Sequence, residues 1–297
     1  MKQTKFHRKA SAALLLLALV GCFAACGSPS TEGKESSPAA ENTALADTAQ
    51  ELAADRETLF QVSLLQGLTL GDYYGSVPAG ALKQRGDIGL GTFDALNGEL
   101  VMVDGIIYRA AGDGTVEVVP DAEMIPFADV TFFDADEVQT LENIPDYDAL
   151  RENLNAKVGA MGGNRFYVIR LDGTFREMNV RSEYAQKEPY QPLADVLEHD
   201  QTFFDYENIT GTVVGLYCPP YMDRLNATGW HLHFISADRT KGGHVLGLQF
   251  DSAELSYDCT DGFEMLLPET GMFAGFDLTV DQSEDIEKVE TNVERNS

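Results

Sequence analysis

The segment from Gly229 to Phe250 reads as a β-hairpin that gathers histidines. The chain has five histidines, and His231, His233 and His244 fall within fourteen residues of one another. A strand places residues i and i+2 on one face, so His231 and His233 point the same way. Ser236 to Gly243 reads as the turn and His244 to Phe250 as the returning strand, which brings His244 beside the other two. Three neutral imidazoles around an open fourth position are the pattern of a catalytic zinc site. A lone histidine on a strand is more often a satisfied core residue than a ligand. The third histidine, in a chain nearly free of them elsewhere, moves the balance toward metal.

The N-terminus carries a secretory pattern. Lys2, Lys5, Arg8 and Lys9 form a basic start, and Ala10 to Val20 is an apolar run too short to span a bilayer as a helix. Leu19-Val20-Gly21-Cys22 has the form of a bacterial lipobox, with Cys22 the lipidation candidate favoured over Cys26, because Leu suits the −3 position better than Phe. The expectation is a lipoprotein tethered outside the cytoplasm, attached to the membrane by its acyl anchor alone. Formal net charge is −27, and losing the four basic groups of residues 1–21 leaves about −31. Such a charge excludes nucleic acid as a partner, since that interface needs a positive field. Cys218 and Cys259 remain in the body, and a disulfide or two free thiols are both open.

Residues 1–21 thus read as signal peptide and residues 22–54, rich in Ser, Pro, Thr, Glu, Gly and Ala, as a flexible tether. The body divides into residues 55–155 and 156–297. In the first half, Leu64 to Gly71 and Pro78 to Arg85 predict short helices. Glu99 to Val103 turns through Asp104-Gly105 into Ile106 to Arg109, and Asp113-Gly114 turns into Thr115 to Val119. Leu141 to Leu154 carries a helical pattern, with Asp146-Tyr147-Asp148 near a helix start. In the second half, Phe166 to Leu171 is expected to turn at Asp172-Gly173 into Thr174 to Arg181. A short helix over Leu193 to Glu198 and separate strands at Phe203 to Glu207 and Gly211 to Tyr217 precede the histidine hairpin. Two similar β-rich halves with few helices predict an α+β protein of tandem mixed-sheet or half-barrel type.

Several blocks together resemble the α-acetolactate decarboxylase family. They are Thr58-Leu59-Phe60-Gln61-Val62-Ser63, Arg85-Gly86-Asp87-Ile88-Gly89-Leu90-Gly91-Thr92-Phe93, Leu96-Asn97-Gly98-Glu99-Leu100 and Gly211-Thr212-Val213-Val214-Gly215. The longest runs from Gly229-Trp230-His231-Leu232-His233 through Arg239-Thr240-Lys241-Gly242-Gly243-His244. The resemblance implies zinc-dependent decarboxylation of (S)-2-acetolactate to (R)-acetoin, usually in a homodimer. It implies zinc on His231, His233 and His244, with Arg181, Glu99, Glu290 and Thr92 at the active site. Glu287 and Glu294 compete with Glu290 for the tail position. One departure falls at the arginine: the family usually continues with Val-Pro after the Arg-Ser/Thr pair, and here Glu183-Tyr184 follow Arg181-Ser182.

Those residue types suit a β-keto acid. Loss of CO2 leaves an electron pair that must flow into the neighbouring ketone, and a Lewis acid on that oxygen stabilises the charge. An arginine fork fits the carboxylate, and a glutamate can return the proton. Two other readings of the histidines stay open: a zinc lyase of the carbonic-anhydrase type and a zinc-binding lipoprotein without activity.

Overall fold

The Asp104-Gly105 hairpin forms where the sequence predicts it. Both residues take positive φ, 54° and 74°, as a two-residue turn with matching twist requires. The structure, a computed structural model, describes residues 56–282 together with Asp285, Ile286 and Val289. Cys22, Cys26, the expected signal and tether, and Glu287, Glu290 and Glu294 lie outside the described residues.

The first part of the chain supplies β1 (Thr58–Val62), α1 (Leu65–Thr69), β2 (Val77–Pro78), α2 (Ala79–Leu82), β3 (Ile88–Thr92), β4 (Glu99–Val103) and β5 (Ile106–Ala110). It continues with β6 (Val116–Val118), β7 (Met124–Ile125), β8 (Ala128–Thr131), β9 (Glu137–Ile144) and α3 (Tyr147–Met161). Then follow β10 (Phe166–Glu183), α4 (Leu193–His199), β11 (Gln201–Cys218), β12 (Gly229–Ser236), β13 (Gly242–Thr260), β14 (Gly262–Leu266) and α5 (Gly271–Gly275). A seven-stranded mixed sheet has the order β14-β1-β8-β3-β4-β5-β6, with β14 parallel to β1. A five-stranded sheet has the order β10-β11-β12-β13-β9, and β10 pairs with β13 as well. That extra pairing closes β10, β11, β12 and β13 into a ring. Each sheet borrows a strand from across α3: β9 joins the second and β14 the first. The fold is α+β and β-rich, as expected.

Three local expectations are corrected. Asp172-Gly173 is not a turn; β10 runs through it as one strand of 18 residues, paired with β11 on one side and β13 on the other. Gly173 serves close approach instead, since a Cβ there would lie 2.7 Å from that of Ala253. Register shifts along β10 let so long a strand bend. The two strands expected at 203–207 and 211–217 are likewise one strand, β11. The helical pattern from Leu141 begins too early: Glu137–Ile144 pairs with β13, and α3 starts only after Asp146, whose carboxylate accepts from Ala149 N at 2.8 Å as an N-cap. An available sheet edge overrides local helix preference there. Cys218 and Cys259 are free thiols.

Facing apolar rows join the sheets. Leu59, Ile88 and Leu90 of the first pack with Val168, Val214 and Leu216 of the second. A separate cluster brings α1 and α4 against the tail through Leu65, Leu68, Leu193, Leu197, Ile286 and Val289. Ile286 and Val289 of the tail are therefore packed, while Thr279, Val280, Asp281 and Asp285 are exposed.

One buried acid on β13 carries a pH dependence. Asp258 is 1% exposed, and burial, reinforced by Glu57, Asp136 and Asp134, pushes its carboxyl up to about 7 from 3.8. The folded protein binds this proton more tightly than the unfolded chain, so stability is greatest below the unfolded value and falls as pH rises toward 7. Asp258→Asn keeps an oxygen for the Asp134 N–H that the carboxylate accepts at 3.1 Å. We expect it to raise stability at about pH 8 by on the order of 1 kcal/mol and to change little at about pH 4. Thermal melts at both values check this; equal melting shifts at the two would contradict it.

Candidate active site

Strand register assembles the site. Arg181 of β10 pairs with His244 of β13, and His244 pairs with His233 of β12. The three side chains form one row across three strands, and His231 follows two residues from His233 on the same face. Gly243 makes the row possible: its φ is +147°, and a Cβ would stand 2.5 Å from Arg181 O. From the opposite sheet, Thr92 of β3 pairs with Glu99 of β4, which puts both beside the histidines.

The imidazoles converge. His231 Nε2 lies 3.0 Å from His233 Nε2 and 3.2 Å from His244 Nδ1. Their potential ligand atoms lie within 4.8 Å of one another, and all three residues are buried. His233 Nδ1 donates to Leu100 O at 2.7 Å, which leaves its Nε2 lone pair facing the other rings. Burial, with a smaller contribution from the Arg181 charge, depresses His231 to about 3. Burial and then His231 push His233 well below its ordinary value, against the pull of the Leu100 carbonyl. Neutral imidazoles with inward lone pairs are the form a metal binds, so this donor set fits a zinc ion.

Around the rings, Glu99 Oε2 stands 3.3 Å from His233 Nε2. Thr92 Oγ1 donates to Gly98 O at 2.9 Å and braces the turn that leads into Glu99. Arg181 is 5% exposed, and its Nη2 donates to Val289 O at 2.6 Å. A cavity bordered by Glu99, Arg181, Glu183, His231 and His244 has an apolar wall that includes Leu65, Leu68, Leu193 and Leu197. The structure thus brings together His231, His233, His244, Arg181, Glu99 and Thr92. Glu290 lies outside the described residues, though its neighbour Val289 reaches Arg181. Sequence reasoning missed the Leu100 carbonyl, which no side-chain pattern marks. It also missed Glu183, although the i+2 spacing from Arg181 was a usable signal.

A buried histidine triad that could hold a metal ion, beside an arginine and a glutamate and between two β-sheets, is the arrangement of a candidate metalloenzyme site. Residues 59–280 match the family model for alpha-acetolactate decarboxylase. The chain is 38% identical over 271 residues to an alpha-acetolactate decarboxylase of Methanosarcina mazei, covering 91% of this chain and 92% of that one. It is 40% identical over 226 residues to that of Brevibacillus brevis, covering 76% and 78%. The crystal structure of alpha-acetolactate decarboxylase from Bacillus subtilis superposes with a TM-score of 0.76 at 31% identity, covering 79% of this chain and 100% of that one. The chain belongs to the alpha-acetolactate decarboxylase family, an enzyme family of the carboxy-lyase class.

Proposed function

We propose that the protein decarboxylates (S)-2-acetolactate to (R)-acetoin with zinc, outside the cytoplasm, on a lipid tether at Cys22. The observation that carries the chemistry is the convergence of three buried imidazoles beside a cavity that Arg181 and Glu99 also line. His231, His233 and His244 would hold the zinc, which would supply Lewis-acid polarisation of the substrate ketone. Arg181 binds the substrate carboxylate as a planar fork in a site of low exposure, where the charge pair is worth more than in water. As CO2 departs, the electron pair passes into the ketone, and the carbon left behind needs a proton. Glu99 stands beside the triad to hold that proton, and Glu290 is the second candidate, for the other face. Thr92 fixes the backbone from which Glu99 projects. The walls from α1 and α4, with Ile286 and Val289 packed on them, exclude water from the reaction.

The lipobox Leu19-Val20-Gly21-Cys22 supports the tether, and family resemblance supports a homodimer, which light scattering of the purified chain reads directly. The deciding experiment follows acetoin from racemic acetolactate with the zinc-loaded protein, then repeats it with intact cells and with a Cys22→Ser strain. We expect rapid conversion of half the substrate, and cell-surface activity that leaves the membrane fraction in the variant. Acetoin no faster than the spontaneous rate, with one zinc bound, favours a carbonic-anhydrase-like lyase or a zinc binder. Activity found only after lysis removes the extracytoplasmic assignment.

A further inference from the structure

Glu183 ends β10 two residues after Arg181, so both side chains leave the strand on one face. Ser182 between them points away and donates to Ala110 O at 2.6 Å. The backbone at Glu183 is held from two sides. It pairs with Gln201 of β11, and Gly112 approaches so closely that a Cβ there would lie 2.7 Å from Glu183 O. The Glu183 side chain is 3% exposed and borders the same cavity as His231 and His244. Its Oε1 faces Arg181 Nε at 3.7 Å, while Nη2 of the same guanidinium donates to Val289 O at 2.6 Å. Arg181 Nε is buried and makes no hydrogen bond, so this contact is an ion pair beyond hydrogen-bond range.

A buried carboxylate beside an anion-binding arginine needs a reason, because it opposes binding of a second anion. Geometry provides one. Glu183 stands on the Nε side of the guanidinium and Val289 O takes one Nη2 hydrogen, so the remaining Nη donors are those a carboxylate can meet. We propose that Glu183 is a positioning residue for substrate-carboxylate recognition, acting through Arg181; this rests on the decarboxylase reading above. It holds the guanidinium in one orientation without touching the substrate. The carboxylate leaves as CO2, so the interaction is made in the ground state and its loss raises KM more than it lowers kcat.

The test uses the zinc-loaded full chain and two probes. One is the ketone-reduced analogue of acetolactate, a dihydroxy acid that cannot lose CO2. The other is the neutral analogue in which a methyl group replaces the carboxylate. Glu183→Ala is expected to raise KM for acetolactate about tenfold with kcat within about threefold, the scale of one charge-assisted hydrogen bond. Calorimetry should show the acid analogue weakened about tenfold and the neutral one unchanged. Glu183→Gln, which keeps an oxygen for Nε–H, restores the acid analogue to within about threefold of wild type. Should the alanine variant not fold, Glu183→Asp, which withdraws the charge by one methylene, must show the same acid-specific loss. Equal loss of both analogues, or no loss of either, overturns the proposal, as does a lower melting temperature with no split between KM and kcat. A wild-type protein that makes no acetoin sinks the decarboxylase reading alone, because the comparison of acid with neutral binding still decides the role of Glu183.

Discussion

Replacing His233 by alanine is expected to abolish both stoichiometric zinc and decarboxylation. His233 is the middle of the row: it pairs with His244, meets His231 at 3.0 Å and faces Glu99 at 3.3 Å. It is fully buried, and its ring is oriented by the Leu100 carbonyl. Alanine removes one of three nitrogens and leaves two, too few for a tight tetrahedral site with an open position. Loss of Lewis-acid stabilisation worth several kcal/mol corresponds to about a thousandfold or more in rate. Metal binding also stabilises the folded state by mass action, so chelation should lower the melting temperature of the wild type and leave that of the variant unchanged. Zinc content by atomic absorption, acetoin formation and melts with and without chelator make the measurement. A variant that keeps full activity and one zinc places the metal somewhere other than the triad. The depressed histidines add a pH consequence of fixed sign. Their folded-state affinity for protons lies below that of the unfolded chain, so metal-free stability is lost as pH falls below the ordinary histidine value.

Arg181→Ala has the next largest expected effect, a loss in kcat/KM on the order of a hundredfold to a thousandfold. Removing one partner of a desolvated charge pair costs about 2–5 kcal/mol, and Arg181 is such a partner for the substrate carboxylate. The same side chain holds the tail by donating to Val289 O at 2.6 Å. Its removal should therefore also speed hydrogen exchange in the peptide that carries Ile286 and Val289, both packed on α1 and α4. Arg181→Lys keeps the charge without the planar fork, so it should recover only a small part of the rate. The two readouts separate the roles. Lost activity with unchanged exchange makes Arg181 a substrate group only. Faster exchange with normal kcat/KM makes it a structural clamp and removes it from the chemistry.

Much of the fold was legible where a local rule acts alone. The Asp104-Gly105 turn follows from backbone sterics, and the Asp146 cap follows from side-chain chemistry within one turn. Failures came where a distant strand decided. Asp172-Gly173 has the composition of a turn, yet partners on both sides keep β10 extended through it. Glu137–Ile144 became a strand because β13 offered an edge. Nothing within either segment encodes those neighbours.

By itself, the sequence determined which chemistry was available. His231 and His233 share a strand face because side chains alternate, and a short returning connection had to bring His244 alongside. The blocks around Thr92 and Glu99, and the family pattern at Arg181, marked those residues for the site through resemblance, not spacing. Tertiary structure decided what those groups can do together. It set Arg181 opposite His244 by register across β10 and β13 and brought Glu99 to His233 from the other sheet. It aimed a main-chain carbonyl at the ring that must stay neutral, and it placed Glu183 beside the arginine. The physical reason is range. Alternation and turn sterics act over a few residues and can be read in order, whereas register and sheet packing join residues far apart in the chain.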